Sequence, residues 1–151
     1  MPLQLTVVTA ERTVMSSSDV TRVTIPTTEG QITVLPSHAP LMASLAIGEL
    51  IAVTPLGTDV MAVHGGFVQV VHNIVTILAD AAEHADDIDE ARVEAARERA
   101  QRRLAGEHLV PDESQVDLLR ARLAMERALV RLKVRRRRRV PTGVPSGVER
   151  G

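Results

Sequence analysis

A chain of 151 residues can bury a core as one domain with an appendage, and its lack of cysteine excludes disulfides, thiolate zinc sites and thiol nucleophiles. The formal net charge of -1 hides a division: residues 1–87 hold two arginines against nine acids, net -7, and residues 88–151 hold sixteen basic residues against ten acids, net +6, a split that points to two jobs or two partners. Phe67 is the only aromatic residue, which removes the stacking platforms of single-strand nucleic-acid binders, and no apolar run reaches the roughly 18–20 residues of a membrane span, so a soluble protein is expected.

Leu3, Leu5 and Val7 alternate with Gln4 and Thr6, which predicts a first strand with one buried face. A second is expected over 13–17, and a third where Val23 and Ile25 alternate with Arg22 and Thr24, before the turn signals Pro26 and Thr27-Thr28-Glu29-Gly30. Further strands are read at 32–35, 41–45, 49–54, 59–64, 67–71 and 74–79. They are separated by Pro36 to Pro40, Ile47-Gly48, Pro55-Leu56-Gly57, Gly65-Gly66 and His72-Asn73. Connections this short leave no room for crossover helices, so residues 1–87 are expected to form an antiparallel two-sheet β-sandwich or flattened barrel.

After Ala79 the composition shifts to Ala, Glu and Arg. Ile88, Ala91, Ala95, Ala96, Ala100 and Leu104 recur at helical spacing, with Asp86 or Asp87 placed to cap the helix. Gly106 is expected to end it, and Pro111 to separate it from a second helix capped by Asp112 or Ser114 and striped by Leu118, Ala121, Met125, Ala128 and Leu132. The fold class is therefore α+β, the sandwich being followed by a C-terminal antiparallel helical hairpin over 88–137 and a disordered basic, Pro/Gly-containing tail over 138–151. At about 25 cal/mol per Å2 the alanine face of the first helix offers little to bury, which predicts a reversible hold on the sandwich.

No catalytic set stands out. The five histidines, His38, His64, His72, His84 and His108, share no metal-ligand spacing, there is no G-x-x-x-x-G-K-[ST], and Ser16 to Ser18 lack nucleophile-elbow glycines, so neither a metal nor a required cofactor is expected. His38 lies in a loop stiffened by Pro36 and Pro40, suited either to a local backbone bond or to partner contact. Gly65-Gly66 reads as a hairpin turn needing positive φ. Asp89, Arg92 and Arg99 share a helix face; a carboxylate there accepts from a base or ribose and guanidiniums match phosphates. On spacing alone the simpler reading is a solvated face laced by Asp89 with Arg92, Glu94 with Arg97 and Glu98 with Arg102. Arg131, Lys133 and Arg135 to Arg139 suit a solvated basic helix end or docking onto an acidic surface.

Gly30-Gln31-Ile32-Thr33-Val34-Leu35-Pro36-Ser37-His38-Ala39-Pro40-Leu41, His64-Gly65-Gly66-Phe67-Val68-Gln69-Val70, Val75 to Glu83 and Ile88-Asp89 together resemble the epsilon-subunit family of bacterial F-type ATP synthases. The match runs in order from the first strand to about Leu132. The resemblance implies a non-catalytic rotor component whose sandwich joins the gamma subunit to the c-subunit ring, at the cytoplasmic face of the bacterial membrane and peripheral to it. It implies a hairpin that regulates ATP hydrolysis: folded down, in some members with ATP as a regulatory ligand, or extended into the alpha and beta subunits as a brake. The family's nucleotide motif, I/L-D-x-x-R-A with later arginines, is matched by Ile88, Asp89, Arg92, Arg99 and Arg122, and Glu83 matches a contact just before the helix. Val93 departs from the motif's alanine, and Glu126 stands one turn after Arg122 where another arginine is expected. The implied subunit-interface residues are Gln31, His38, Arg127, Arg131 and Lys133. A reading from another class is an acidic sandwich whose basic tail binds RNA or anionic lipid; the missing aromatics count against nucleic acid.

Overall fold

A computed structural model describes residues 1–106 and 115–139. Strands β1 (Leu3–Val8), β2 (Thr13–Val20), β3 (Arg22–Thr27), β4 (Gly30–Val34), β5 (Leu41–Thr54), β6 (Gly57–Val71), β7 (Ile74–Ala79) and β8 (Ala82–His84) lead into a 3-10 turn at Ala85–Asp87 and the helices α1 (Glu90–Leu104) and α2 (Gln115–Arg139). The strands hydrogen-bond in the order β2-β1-β7-β6-β5-β3-β4, with β8 also on β6. The ladders are antiparallel except β1 with β7, which run parallel.

Two expected turns lie inside long strands. Ile47-Gly48 and Gly65-Gly66 sit within β5 and β6, whose ladder keeps one register from Leu41↔Val70 to Thr54↔Gly57. What changes there is the face turned inward. Leu45 and Leu50 both lie in the main core, as do Val63 and Val68, although each pair holds positions of opposite parity; side chains alternate along a strand, so each strand must roll over between them. Gly65 and Gly66 allow this with φ of 79° and 118°. β7 and β8 continue one another across the same corner, with Gly66↔Ala79 before it and Val63↔Ala82 after it. One sheet thus folds into two layers around Leu3, Leu5, Val7, Ile25, Leu50, Met61 and Ile77.

A second, smaller cluster forms outside the layer that carries β8. Val60, Ala62, Ala85 and Ile88 meet Val93 of α1 and Ala128, Leu132 and Val134 of α2. The helix lying on the sandwich is α2, against β5 and β6, and α1 packs mainly on α2; this corrects the expectation that the alanine-rich first helix makes the hold. The reason is area. Buried Leu132 and Val134 contribute about 1.5–3 kcal/mol each, whereas the alanines of α1 add little, and Ala91 and Ala95 stay exposed. The stripe expected on α2 is buried at Ala121, Ala128 and Leu132, half-buried at Met125 and exposed at Leu118.

Asp89, rather than Asp86 or Asp87, caps α1, its Oδ1 accepting from the Arg92 backbone N–H at 3.2 Å; Asp86 and Asp87 belong to the 3-10 turn. Gly106 follows the helix end with φ 80°. Helix α2 carries the arginine run through Arg139. Residues 138 and 139, expected in the tail, continue α2; the caps expected at Asp112 and Ser114, the break at Pro111, His108 and the rest of the expected 138–151 tail, from Val140, lie outside the described residues.

A Cβ on Gly66 would stand 2.0 Å from the Leu78 carbonyl oxygen, whereas Gly30, also at positive φ, has nothing within 4 Å. Gly66→Ala is expected to lower stability by more than about 2 kcal/mol and Gly30→Ala by about 1 kcal/mol, read as shifts of the urea midpoint. Equal shifts would show that the corner does not depend on this close approach.

Candidate functional site

The acidic and basic parts of the chain meet at the seam between sandwich and hairpin. Glu49 on β5 and Glu83 on β8 both pair in register with Ala62 of β6, so their side chains leave the same outer face. Arg131 Nε donates to Glu83 Oε1 at 2.6 Å, and Lys133 Nζ lies 3.0 Å from Glu49 Oε1. Arg135 donates to the Ala85 carbonyl at 3.2 Å and approaches Asp86 at 3.9 Å, while Arg136 reaches Glu90 and Glu94 of α1, each at 3.7 Å. Part of the charge division seen in the sequence is thus answered within the chain.

Above this seam a cleft of about 470 Å3 is lined by Glu83, Asp87, Asp89, Arg92, Val93, Ala96, Arg99 and Arg131. Four of the six nucleotide candidates, Glu83, Asp89, Arg92 and Arg99, therefore line one cleft. Ile88 is buried beside them in the hairpin cluster. Arg122 does not line the cleft and is exposed. Helical phase explains this: Arg122 and Arg131 are nine positions apart on α2, about 180° around the axis at 100° per residue, and Arg131 is the one that faces in. Glu126, one turn from Arg122, is likewise exposed and lines neither the cleft nor its continuation. Arg131, expected at a subunit interface, is a cleft residue, and Asp87 joins it unforeseen.

The cleft continues past Ala96 and Arg99 into a hollow of about 650 Å3 between α1 and α2, lined by Arg99, Arg102, Arg103 and Arg120 over Ala96, Ala100, Ala121 and Ala124. Acids are thus concentrated at one end and arginines at the other. Of the surface pairs expected on α1, Glu94 with Arg97 forms at 3.0 Å; Glu98 and Arg102 make no ion pair among the described residues. The Glu83 carboxyl is held below the ordinary carboxylate range, first by His64, whose Nε2 is 3.6 Å away, and then by Arg131, against the opposing effect of burial.

The remaining interface candidates lie elsewhere. Gln31 is exposed on β4 opposite Pro26. His38 is half-buried in the β4–β5 loop, where its Nδ1–H donates to the Ala39 carbonyl at 2.7 Å; Ser37 N–H ties that loop to Asn73 Oδ1 at 2.6 Å. Arg127 is exposed on α2. Sequence reasoning missed an apolar face on the other layer, where Ser44↔Phe67↔Leu78 and Met42↔Gln69 leave Met42, Phe67 and Leu78 70%, 58% and 55% exposed. Its signal was present in the alternation of outward Phe67 with buried Val68 and Val70.

An apolar face on one layer and a charged two-helix arm folded onto the other define a two-part protein, a β-sandwich with a C-terminal helical hairpin docked on it. Residues 2–85 match the β-sandwich domain of the ATP synthase delta/epsilon chain, residues 86–135 match its long α-helix domain, and an ATP synthase epsilon chain of Herpetosiphon aurantiacus is 46% identical over 139 residues, covering 92% of this chain and 98% of that one. The chain belongs to the ATP synthase delta/epsilon family and is a non-catalytic, epsilon-type subunit of the central stalk of the F-type rotary enzyme. An epsilon chain of a Roseiflexus species is 53% identical over 96 residues, 64% of this chain and 68% of that one. A chain of the Euglena gracilis mitochondrial ATP synthase, in a cryo-EM structure of OSCP/F1/c-ring, superposes with a TM-score of 0.72 at 25% identity, covering 85% of this chain and 78% of that one.

Because the pKa of Glu83 is lowered on folding from its ordinary value of 4.5, its stabilising contribution is complete above that unfolded value and is lost as pH falls through the lowered one. The acid side of the melting temperature against pH is expected to flatten in Glu83→Gln. An acid limb identical to wild type would assign the effect to other carboxylates.

Proposed function

We propose that the sandwich couples the gamma subunit to the c ring and that the docked hairpin is the resting form of a brake on ATP hydrolysis, with ATP as a regulatory ligand of the docked form. The seam is the observation that carries this reading. Arg131, Lys133, Arg135 and Arg136 are all engaged by acids of the sandwich, the 3-10 turn and α1, so these basic side chains are withheld from the alpha and beta subunits until the hairpin leaves. Docked and extended states are then mutually exclusive, and whatever binds one better shifts the balance by that difference in affinity.

The cleft supports nucleotide as such a ligand. Asp89, Asp87 and Glu83 offer acceptors for a base amino group and ribose hydroxyls, and Arg92, Arg99 and Arg131 offer guanidiniums for phosphates. One wall belongs to α1, one to β8 and one to α2, so a ligand spanning them favours the docked arrangement. The apolar face at Met42, Phe67 and Leu78, together with Gln31 and the His38 loop, is assigned to gamma and c-ring contacts, which would hold the chain peripherally at the cytoplasmic face of the bacterial membrane. No helix among the described residues is long and apolar enough to cross a membrane. The alternative of a basic arm for RNA or lipid has less support, because Arg131, Arg135 and Arg136 are engaged within the chain.

Titration calorimetry of the full chain with ATP is expected to give binding heat that Asp89→Ala with Arg92→Ala abolishes, that Arg131→Ala weakens about tenfold, and that Arg122→Ala leaves unchanged. No heat up to about millimolar ATP, where binding free energy is only about 4 kcal/mol, would end the nucleotide reading. In the assembled enzyme a chain cut after Ala85 keeps the main core, so it should still bind gamma while ATP hydrolysis rises. Unchanged hydrolysis would refute the brake.

A further inference from the structure

His64 is the buried group that the reading above leaves without a task. It is 5% exposed, on the hairpin-facing side of β6 in the same row as Val60 and Ala62, and neither ring nitrogen has a hydrogen-bond partner among the described residues. A buried imidazole with both nitrogens unpaired is costly and unusual. Its Nε2 points toward Glu83 Oε1 at 3.6 Å, too far for a hydrogen bond, and that same oxygen accepts the 2.6 Å bond from Arg131. One carboxylate oxygen thus stands between a fixed imidazole of the sandwich and a guanidinium of the removable arm.

We propose that His64 is a proton-operated latch, so that protonating it displaces Arg131 from Glu83 and releases the hairpin from the sandwich. With His64 neutral, Glu83 and Arg131 form a balanced pair. Adding a proton puts two cations around one carboxylate and places a charge on an imidazole that is itself almost wholly buried beneath α2, where an unmatched charge is strongly disfavoured. Departure of α2 restores one cation to one anion and admits water to the imidazolium, so acid favours the open state. Of the other charged groups around it, Glu49 of β5 faces Lys133, Asp86 of the 3-10 turn faces Arg135, Asp87, Asp89, Arg92 and Arg99 line the cleft beside Glu83 and Arg131, and Asp80 sits at the corner beside Gly65. His84 is committed differently, its Nε2 lying 3.0 Å from the Val14 carbonyl.

The inference rests on the hairpin being able to leave, as proposed above, and needs no nucleotide. The test uses the full chain with Thr58→Cys on β6 and Leu129→Cys on α2, both exposed positions in a sequence with no other thiol, labelled with a donor and an acceptor dye. Between about pH 8 and pH 5.5 the docked-to-open ratio read from energy transfer should fall about three- to tenfold. It should stay level in His64→Gln. Arg131→Gln, a substitution outside the sandwich core, should also lose most of the slope, because no cation is left to expel. A wild-type slope persisting in either variant overturns the latch. Leu132→Ala, which removes the main apolar anchor of α2, serves as the open reference: if it lowers transfer and acid does not, the hairpin moves but His64 does not control it. If neither lowers transfer, the mobile-hairpin reading fails along with the latch.

Discussion

The hairpin is held by a small apolar seam, centred on Leu132 and Val134, and by opposite charges that the chain separates in sequence and reunites in space. Glu83 with Arg131 and Glu49 with Lys133 cross the seam, and each such pair at a partly exposed site is worth about 0–1 kcal/mol. The apolar part is also small, since only Leu132 and Val134 of α2 bring large side chains to full burial there. Neither component is large against the conformational freedom that a released arm regains. The helix pair is thus held by a small interface, whereas the sandwich beneath it closes around a larger core of fully buried Leu, Ile, Val and Met, so if the proposed release occurs, the sandwich is the part expected to stay intact.

The pattern of strands could be read from alternation because alternation is a local property. The corner could not. Gly65-Gly66 between two apolar runs has the same local appearance whether the chain reverses there or rolls its inner face outward, and the difference lies in whether 41–45 and 49–54 belong to one strand or two. The parallel pairing of β1 with β7 is equally invisible to local pattern, since it joins residues about seventy positions apart. The run Val60 to Val63, apolar at every position, held the missing information. Val60 and Ala62 face the hairpin cluster while Met61 and Val63 face the main core, so that stretch is buried between sandwich and arm as well as between sheets.

The site was legible along α1 and obscure across it. Asp89, Arg92 and Arg99 are brought to one wall by helical spacing alone, and the resemblance supplied Glu83. Arg131 could not be placed by spacing, because its approach to β8 depends on how α2 seats on β5 and β6. The same seating turns Arg122 and Glu126 outward. The acid that stands where another arginine was expected therefore lies away from the cleft, and Arg120, eleven positions before Arg131 and within about 20° of it around the helix, shares the inner face.

Glu83 is common to the cleft, the ion pair with Arg131 and the contact with His64, and this shared membership sets the sign of any coupling between them. An anionic ligand beside Arg131 adds negative charge where the docked hairpin gathers positive charge, and so favours docking. A proton on His64 adds positive charge at the same place and favours release. Linkage is reciprocal: if both act through the Glu83–Arg131 pair, a nucleotide that stabilises the docked arm must make His64 harder to protonate, and acid must weaken the nucleotide by the same factor. The brake would then be withheld when nucleotide is plentiful and set free when the surroundings acidify, with one carboxylate oxygen carrying both signals.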